Sequence, residues 1–346
     1  MPRYGGILKM KEKYNALNMK SAVLGGAGRI SGFTLLELMV ALSLGLLIVA
    51  AAIQLYLTAQ KGMVTQQGAA NLQNSASFGL EYMLRDIRLA NLGASKPSIT
   101  PDILHGGIVL SHKNLSITTP FSITGEAANT LMTQGDVGPS NLEDEKSDQL
   151  VIQYRNADAS GNLVSSFDCE GNGIMPGAYV VQRYFLRMDN NRNDPNQPLA
   201  LACKATSYLG DSKSKIDGLE GNGEIIIPRV DHMRILLGVA SDTIDATKSP
   251  AVAGQDGVLD RFGYIGIENY KKLTVKPQIV SIQIGVLARS PDSVGKNDLV
   301  DVSKPYQILD INKKLITDSK NDLYNRLVVT QTVALRNGFG LQENPK

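Results

Sequence analysis

The sequence predicts an α+β fold: one long N-terminal helix packed on an antiparallel β-sheet part with long loops. Three observations carry this. An apolar run, FTLLELMVALSLGLLIVAAAI at 33–53, opens a stretch without proline that continues to residue 92. Apolar residues in the second half of that stretch recur at helical spacing. From about residue 98 the texture changes to short alternating segments separated by Gly, Pro, Asn and Asp.

The helix comes first. At 1.5 Å per residue the run 33–53 reaches about 30 Å, the thickness of the hydrocarbon of a bilayer. Beyond Gln54 the pattern becomes amphipathic: Leu72, Ala76, Leu80, Met83, Ile87 and Ala90 share one face, opposite Gln73, Ser77, Glu81 and Arg85. Gly93 and Pro97 end it. Gly45, Gly62 and Gly68 each lower helix propensity by up to about 1 kcal/mol and mark places for bends. One helix over 33–92 is expected, its first half in lipid and its second half packed.

Five strands come next along the chain: 149–155, 179–187, 230–239, 278–289 and 325–337. Val280, Ile282, Ile284 and Val286 share a face of the fourth, and Leu327, Val329, Val333 and Leu335 a face of the fifth, the pattern of half-buried antiparallel strands. The intervening stretches 134–148, 188–198, 210–224, 241–277 and 290–324 read as long polar loops, the last with room for a small strand pair.

Charge is distributed unevenly. The chain has 35 basic and 33 acidic residues, too even a balance for a nucleic-acid partner. Residues 1–32, however, carry Arg3, Lys9, Lys11, Lys13, Lys20 and Arg29 against Glu12 alone. A basic leader before a single span keeps the leader in the cytoplasm and exports the rest of the chain. Cys169 and Cys203 are the only cysteines, both in the exported part, where oxidising conditions favour a disulfide.

Glu37 stands inside the apolar run. An acid at mid-span costs about 2.5 to 3.5 kcal/mol for Asp, and one near the end costs less. A cation at the same depth offsets that cost. Cleavage after Gly32 would create one, the α-amino group of Phe33, and in a helical stack the Glu37 of one subunit would meet the terminus of its neighbour.

Gly32, Phe33, Thr34, Leu35, Leu36 and Glu37 resemble the cleavage and methylation motif of type IV pilins and type II secretion pseudopilins. The resemblance implies a pilin-like fold and a prepilin peptidase that cuts between Gly32 and Phe33 and methylates the new terminus. It makes Glu37 the docking carboxylate. It divides the chain into a leader (1–32), a membrane-spanning half-helix (33–53), an amphipathic half-helix (54–93) and a periplasmic head (94–346). SDQLVIQY (147–154), the spaced cysteine pair, VSIQIGVLARS (280–290) and VALRN (333–337) resemble the PilW group of minor pilins, whose counterpart in type II secretion is the J pseudopilin. Implied partners are other minor pilins and the major pilin through the N-terminal helix, the prepilin peptidase, the assembly platform, the inner membrane and a large tip adhesin. The implied location is the inner membrane before assembly and the pilus tip after it. Counted from Met1 the leader is longer than most in the family; starts at Met10 or Met19 give a usual length. The stretches 241–277 and 290–324 have no counterpart in the family pattern.

Competing readings are weaker. Ala50-Ala51-Ala52 fits a signal peptidase site, which would release a soluble protein starting at Ile53, but the acid falls inside the apolar run. The alternative functions are a J-type pseudopilin of type II secretion and a secreted or membrane-anchored binding module, such as an adhesin, that uses the span only for export. GGAGRISG (25–32) lacks the preceding strand that a dinucleotide-binding loop requires. Asp189, Asn191 and Asn193 alternate as in a calcium loop, yet Asp194 and Ala200 occupy the positions for its Gly and bidentate Glu, so a polar hairpin is expected. DGLEGNGE (217–224) reads the same way. His105, His112 and His232 form no metal or nucleophile motif, and Glu143 with Glu145 reads as solvated loop charge. Neither a cofactor nor an enzymatic activity is expected.

Overall fold

The computed structural model describes residues 32–115, 132–157, 162, 164–190, 198–209, 216, 218–242, 259, 261–291, 293, 303–316 and 324–338. The chain divides into two units by internal packing, one up to Leu57 and one from Thr58 onward. Helix α1, Leu35–Ile87, runs uninterrupted through Gly45, Gly62 and Gly68. The predicted stripe Leu72, Ala76, Leu80, Met83, Ile87 and Ala90 is buried throughout, and Gln73, Ser77, Glu81 and Arg85 are exposed.

The strands are β1 (Gln134–Gly138), β2 (Ser147–Arg155), β3 (Ser166–Phe167), β4 (Gly173–Ile174), β5 (Tyr179–Met188), β6 (Leu199–Tyr208), β7 (Glu224–Ile227), β8 (Val230–Ser241) and β9 (Arg261–Gly266). A short helix α2 (Ile267–Lys272) leads to β10 (Gln278–Arg289), β11 (Tyr306–Ile308), β12 (Ile311–Lys313) and β13 (Arg326–Ala334). They form a five-stranded sheet in the order β1-β2-β5-β6-β7, a four-stranded sheet in the order β13-β10-β8-β9, and the hairpins β3-β4 and β11-β12. In the second unit Leu80, Met83, Leu84 and Ile87 of α1 share one core with Ile152 and Tyr184 of the first sheet and Ile235, Ile282 and Ile284 of the second. The apolar face of α1 is therefore closed by strands of both sheets, as an amphipathic helix requires.

Four expectations need correction. Strands β2 and β5 are buried on both faces rather than half-buried, because Val151, Tyr179 and Val181 on the reverse face pack under Val109, Leu115, Ile216 and Leu219. The stretch 134–148 is not all loop, since β1 pairs with β2 through Gln134↔Gln149 and Gly138↔Ser147. Strand β9 and helix α2 lie in 241–277. Strand β6 was not among the five expected, yet it pairs with β5 over ten residue pairs, from Tyr179↔Tyr208 to Met188↔Leu199. The small strand pair expected in 290–324 is β11-β12.

The exit from α1 is fastened from far along the chain. Gly93 adopts φ +71° and Asn91 φ +69°, left-handed conformations that stop a helix. The Asn91 amide donates to the carbonyl of Asn337 at 2.7 Å, and its Oδ1 accepts from Gly107 N–H at 2.8 Å. Asn337 in turn donates to the carbonyl of Ala90 at 3.2 Å. The last residue of VALRN thus satisfies carbonyls left orphaned beyond the C-terminal turn of the helix.

The two cysteines are joined, with Cα atoms 6.2 Å apart. The bridge ties the turn between β3 and β4 to β6. Glu170 reinforces it, accepting from Lys204 Nζ and from Ala205 N–H, both at 2.9 Å.

Candidate processing and docking site

Helix α1 begins where a side chain can begin it. Gly32, Phe33 and Thr34 lie outside regular structure and the helix starts at Leu35. Thr34 Oγ1 accepts the N–H of Glu37 at 3.2 Å, and the Thr34 carbonyl accepts the N–H of Leu38 at 3.2 Å. Thr34 is therefore the N-cap and Glu37 the third helical residue. The spacing T-x-x-E is a capping-box signature lying inside the six-residue motif, a helix-start signal additional to the cleavage and docking roles expected of that motif.

Glu37 sits in the first turn of α1, exposed, and its carboxylate has no partner among the described residues. An acid there is favourably placed for the positive end of the helix dipole. Around it the large apolar side chains are all open: Phe33 is 83% exposed and Leu47 67% exposed. Burying each such side chain is worth about 1.5 to 3 kcal/mol. A helix apolar on every face needs a surrounding that is itself apolar, lipid or other helices.

The other candidates fall into structural roles or outside the described residues. Asp189 directly follows β5, its N–H donating to the carbonyl of Pro198 at 2.7 Å. Asn191 and Asn193 lie outside the described residues, as do residues 1–31 of the leader and Asp217 of DGLEGNGE. Among the described residues no group of three or more His, Cys, Asp or Glu side chains is placed to hold a metal ion. His105 stacks on Tyr179 with ring centroids 3.7 Å apart. Glu145 does not belong to a freely solvated acidic pair: it meets Lys313 Nζ at 3.3 Å, because β12 packs beside its loop.

Two buried groups in the head have opposite electrostatics. Asp148, fully buried on β2, accepts from Ile235 N–H at 2.7 Å and Asp136 N–H at 3.1 Å, and faces Arg234 at 3.4 Å. Burial pushes its carboxyl up to about 7 against the pull of Arg234 and those N–H groups. Arg234 also grips Asp310, between β11 and β12, through Nε at 2.8 Å and Nη2 at 2.9 Å, which holds Asp310 below the usual carboxylate range. His232, buried on β8 with Nδ1 2.8 Å from Ser140 Oγ, is pushed down to about 4 by burial, with Arg234 adding to the shift.

These shifts fix a pH dependence. As pH falls from about 6.5 towards 4 the unfolded chain protonates His232 before the folded chain does, so stability present above about 6.5 is lost. Asp148 acts the other way: the folded chain holds its proton longer, so stability present below about 3.9 is lost as pH rises through about 7. The two slopes oppose each other between about pH 4 and 6.5, with Asp86, also raised by burial, on the side of Asp148. Replacing His232→Gln removes one of them. Urea midpoints measured across this window should show wild type gaining on the variant as pH rises, and a constant difference would refute the assignment.

Comparison with known proteins bears on both ends of this picture. Residues 28–53 match the prokaryotic N-terminal methylation motif. Residues 184–337 match the family described as type IV pilus-assembly protein W, PilW, a segment running from β5 to the Asn337 clasp and containing Cys203. The chain is a PilW-like type IV pilin. Of the segments that suggested this, VSIQIGVLARS and VALRN lie within the matched region and SDQLVIQY precedes it. A type IV-like pilin from Thermus thermophilus is similar in structure, with a TM-score of 0.37 and 11% identity, covering 77% of this chain and 96% of that one. No curated protein matches. In this PilW-like pilin the methylation motif and the exposed apolar helix indicate membrane anchoring and association with a pilus, in contact with other pilus components.

Proposed function

We propose that this minor pilin is cleaved between Gly32 and Phe33 by a prepilin peptidase, N-methylated on Phe33, and built into a minor-pilin complex that primes pilus assembly and stays at or near the tip. Before assembly the span 33–53 anchors it in the inner membrane with residues 94–346 in the periplasm. Removal of leader 1–32 takes away the basic residues that oppose extraction. Glu37 then pairs with the amino terminus of a neighbouring subunit, and apolar helices replace lipid contacts with one another. Other minor pilins, the major pilin, the assembly platform and a tip adhesin are its partners.

One observation carries this reading: a carboxylate, Glu37, without a partner among the described residues, in the first turn of an exposed apolar helix that starts just after a Gly-Phe peptide bond. In hydrocarbon that carboxylate is costly until a cation meets it, and cleavage generates the cation at the same level. The test is the intact mass and N-terminal sequence of the protein from cells with and without the peptidase. A terminus at methylated Phe33, lost in the peptidase deletion and in Gly32→Val, is expected. A terminus at Ile53, or an intact leader in both strains, would overturn the reading. With processing established, Glu37→Gln should still be cleaved but be depleted from sheared pili.

A further inference from the structure

Thr34 is neither cleaved nor charged, yet it decides where α1 starts. In a helix wound one residue further back, the N–H of Glu37 would donate to the carbonyl of Phe33; wound two residues back, the N–H of Leu36 would donate to the carbonyl of Gly32. Thr34 Oγ1 takes the first of these donors, at 3.2 Å. Gly32 and Phe33 consequently stay outside the helix, and a Cβ added at Gly32 would meet no atom of the described residues within 4 Å. Within a membrane no water stands ready to take an N–H that loses its acceptor. The choice between Thr34 Oγ1 and the Phe33 carbonyl therefore lies within the chain.

We propose that Thr34 is a positioning residue for processing, keeping the Gly32–Phe33 peptide unwound by capping α1 immediately beyond it. This rests on the processing reading above. Cleavage adds water across that bond: the water oxygen bonds to the Gly32 carbonyl carbon, the C–N bond breaks, and both water protons end on the Phe33 nitrogen. A Gly32 carboxylate and a Phe33 ammonium result. The attack requires an open face on the Gly32 carbonyl. A carbonyl inside a helix is engaged by the N–H four residues on and flanked by the neighbouring turn. Thr34 thus separates two needs of one short segment: an extended bond for the peptidase, and a helix that begins soon enough to carry Glu37 in its first turn.

The test uses the full chain reconstituted in vesicles with a prepilin peptidase, comparing initial cleavage rates of wild type, Thr34→Ser, Thr34→Asn and Thr34→Val. Ser and Asn are good caps of different shape, whereas Val keeps the shape of Thr and has no acceptor. Expected are rates within about two-fold of wild type for Ser and Asn, and roughly five-fold slower cleavage for Val. Backbone hydrogen exchange on the uncut chains should show added protection at Leu36 in Thr34→Val alone. Cleavage of Thr34→Val at the wild-type rate overturns the proposal. So does slow cleavage of Asn with fast cleavage of Ser, which would mean that the peptidase reads the hydroxyl itself. If wild type is not cut after Gly32, the processing reading fails and this proposal falls with it.

Discussion

Arg326→Met is expected to lower the unfolding free energy by about 3 to 5 kcal/mol. The side chains of Arg326 and Asp231 are 0% and 1% exposed and meet at 2.7 Å. Removing the guanidinium leaves the Asp231 carboxylate buried with, among the described residues, the Asn141 amide at 2.7 Å to compensate it. The large cost comes from that uncompensated charge rather than from the worth of the pair. The double variant Asp231→Leu/Arg326→Met should therefore recover much of the loss, because a buried pair replaced by apolar groups is often close to neutral. Urea unfolding in detergent can be followed by tyrosine fluorescence, since the chain has 12 Tyr and no Trp. A cost below about 1 kcal/mol for the single variant would show that water reaches Asp231.

Replacing both cysteines by serine should cost about 4 kcal/mol in the chain-entropy account. The bridge closes a loop spanning 34 positions, and its loss returns that loop's freedom to the unfolded state. The hairpin β3-β4 should remain docked in the folded variant, because Glu170 still holds Lys204 and the Ala205 N–H. The prediction is thus a lower urea midpoint with little change in the folded far-ultraviolet spectrum. A midpoint unchanged from wild type would mean that the unfolded chain is already constrained around these positions, contrary to the loop-entropy argument.

Much of the fold was legible because its signals are local. The stripe from Leu72 to Ala90 has helical spacing, and the strands at 149–155, 179–187, 230–239, 278–289 and 325–337 show strong apolar character. Strand β6, LALACKATSY, was missed because alanine, serine and lysine give it little hydrophobic contrast. Strands β1, QGDVG, and β9, RFGYIG, each contain two glycines, which read as turn or loop. β1 carries in addition Asp136 at φ +57°. Burial of β2 on both faces was invisible in β2 itself, since it depends on residues 109, 115, 216 and 219 arriving from elsewhere.

The candidate site divides along the same line. Gly32, Phe33 and Glu37 could be proposed from sequence because the motif they form occupies six consecutive residues, and the Thr34 cap, though missed, is encoded in the same six. The sequence alone determined the apolar half of α1 and the acid it carries, since these rest on composition; its start at Leu35, two residues past the expected 33, came from the structure. Tertiary structure decided which polar groups of the head are buried and what meets them: Asp231 with Arg326, Asp148 with Arg234, and Asn91 with Asn337. The partners in these pairs lie 95, 86 and 246 residues apart. A buried polar group is stabilised or destabilised by whatever the fold sets against it, and nothing in its own sequence neighbourhood encodes that choice.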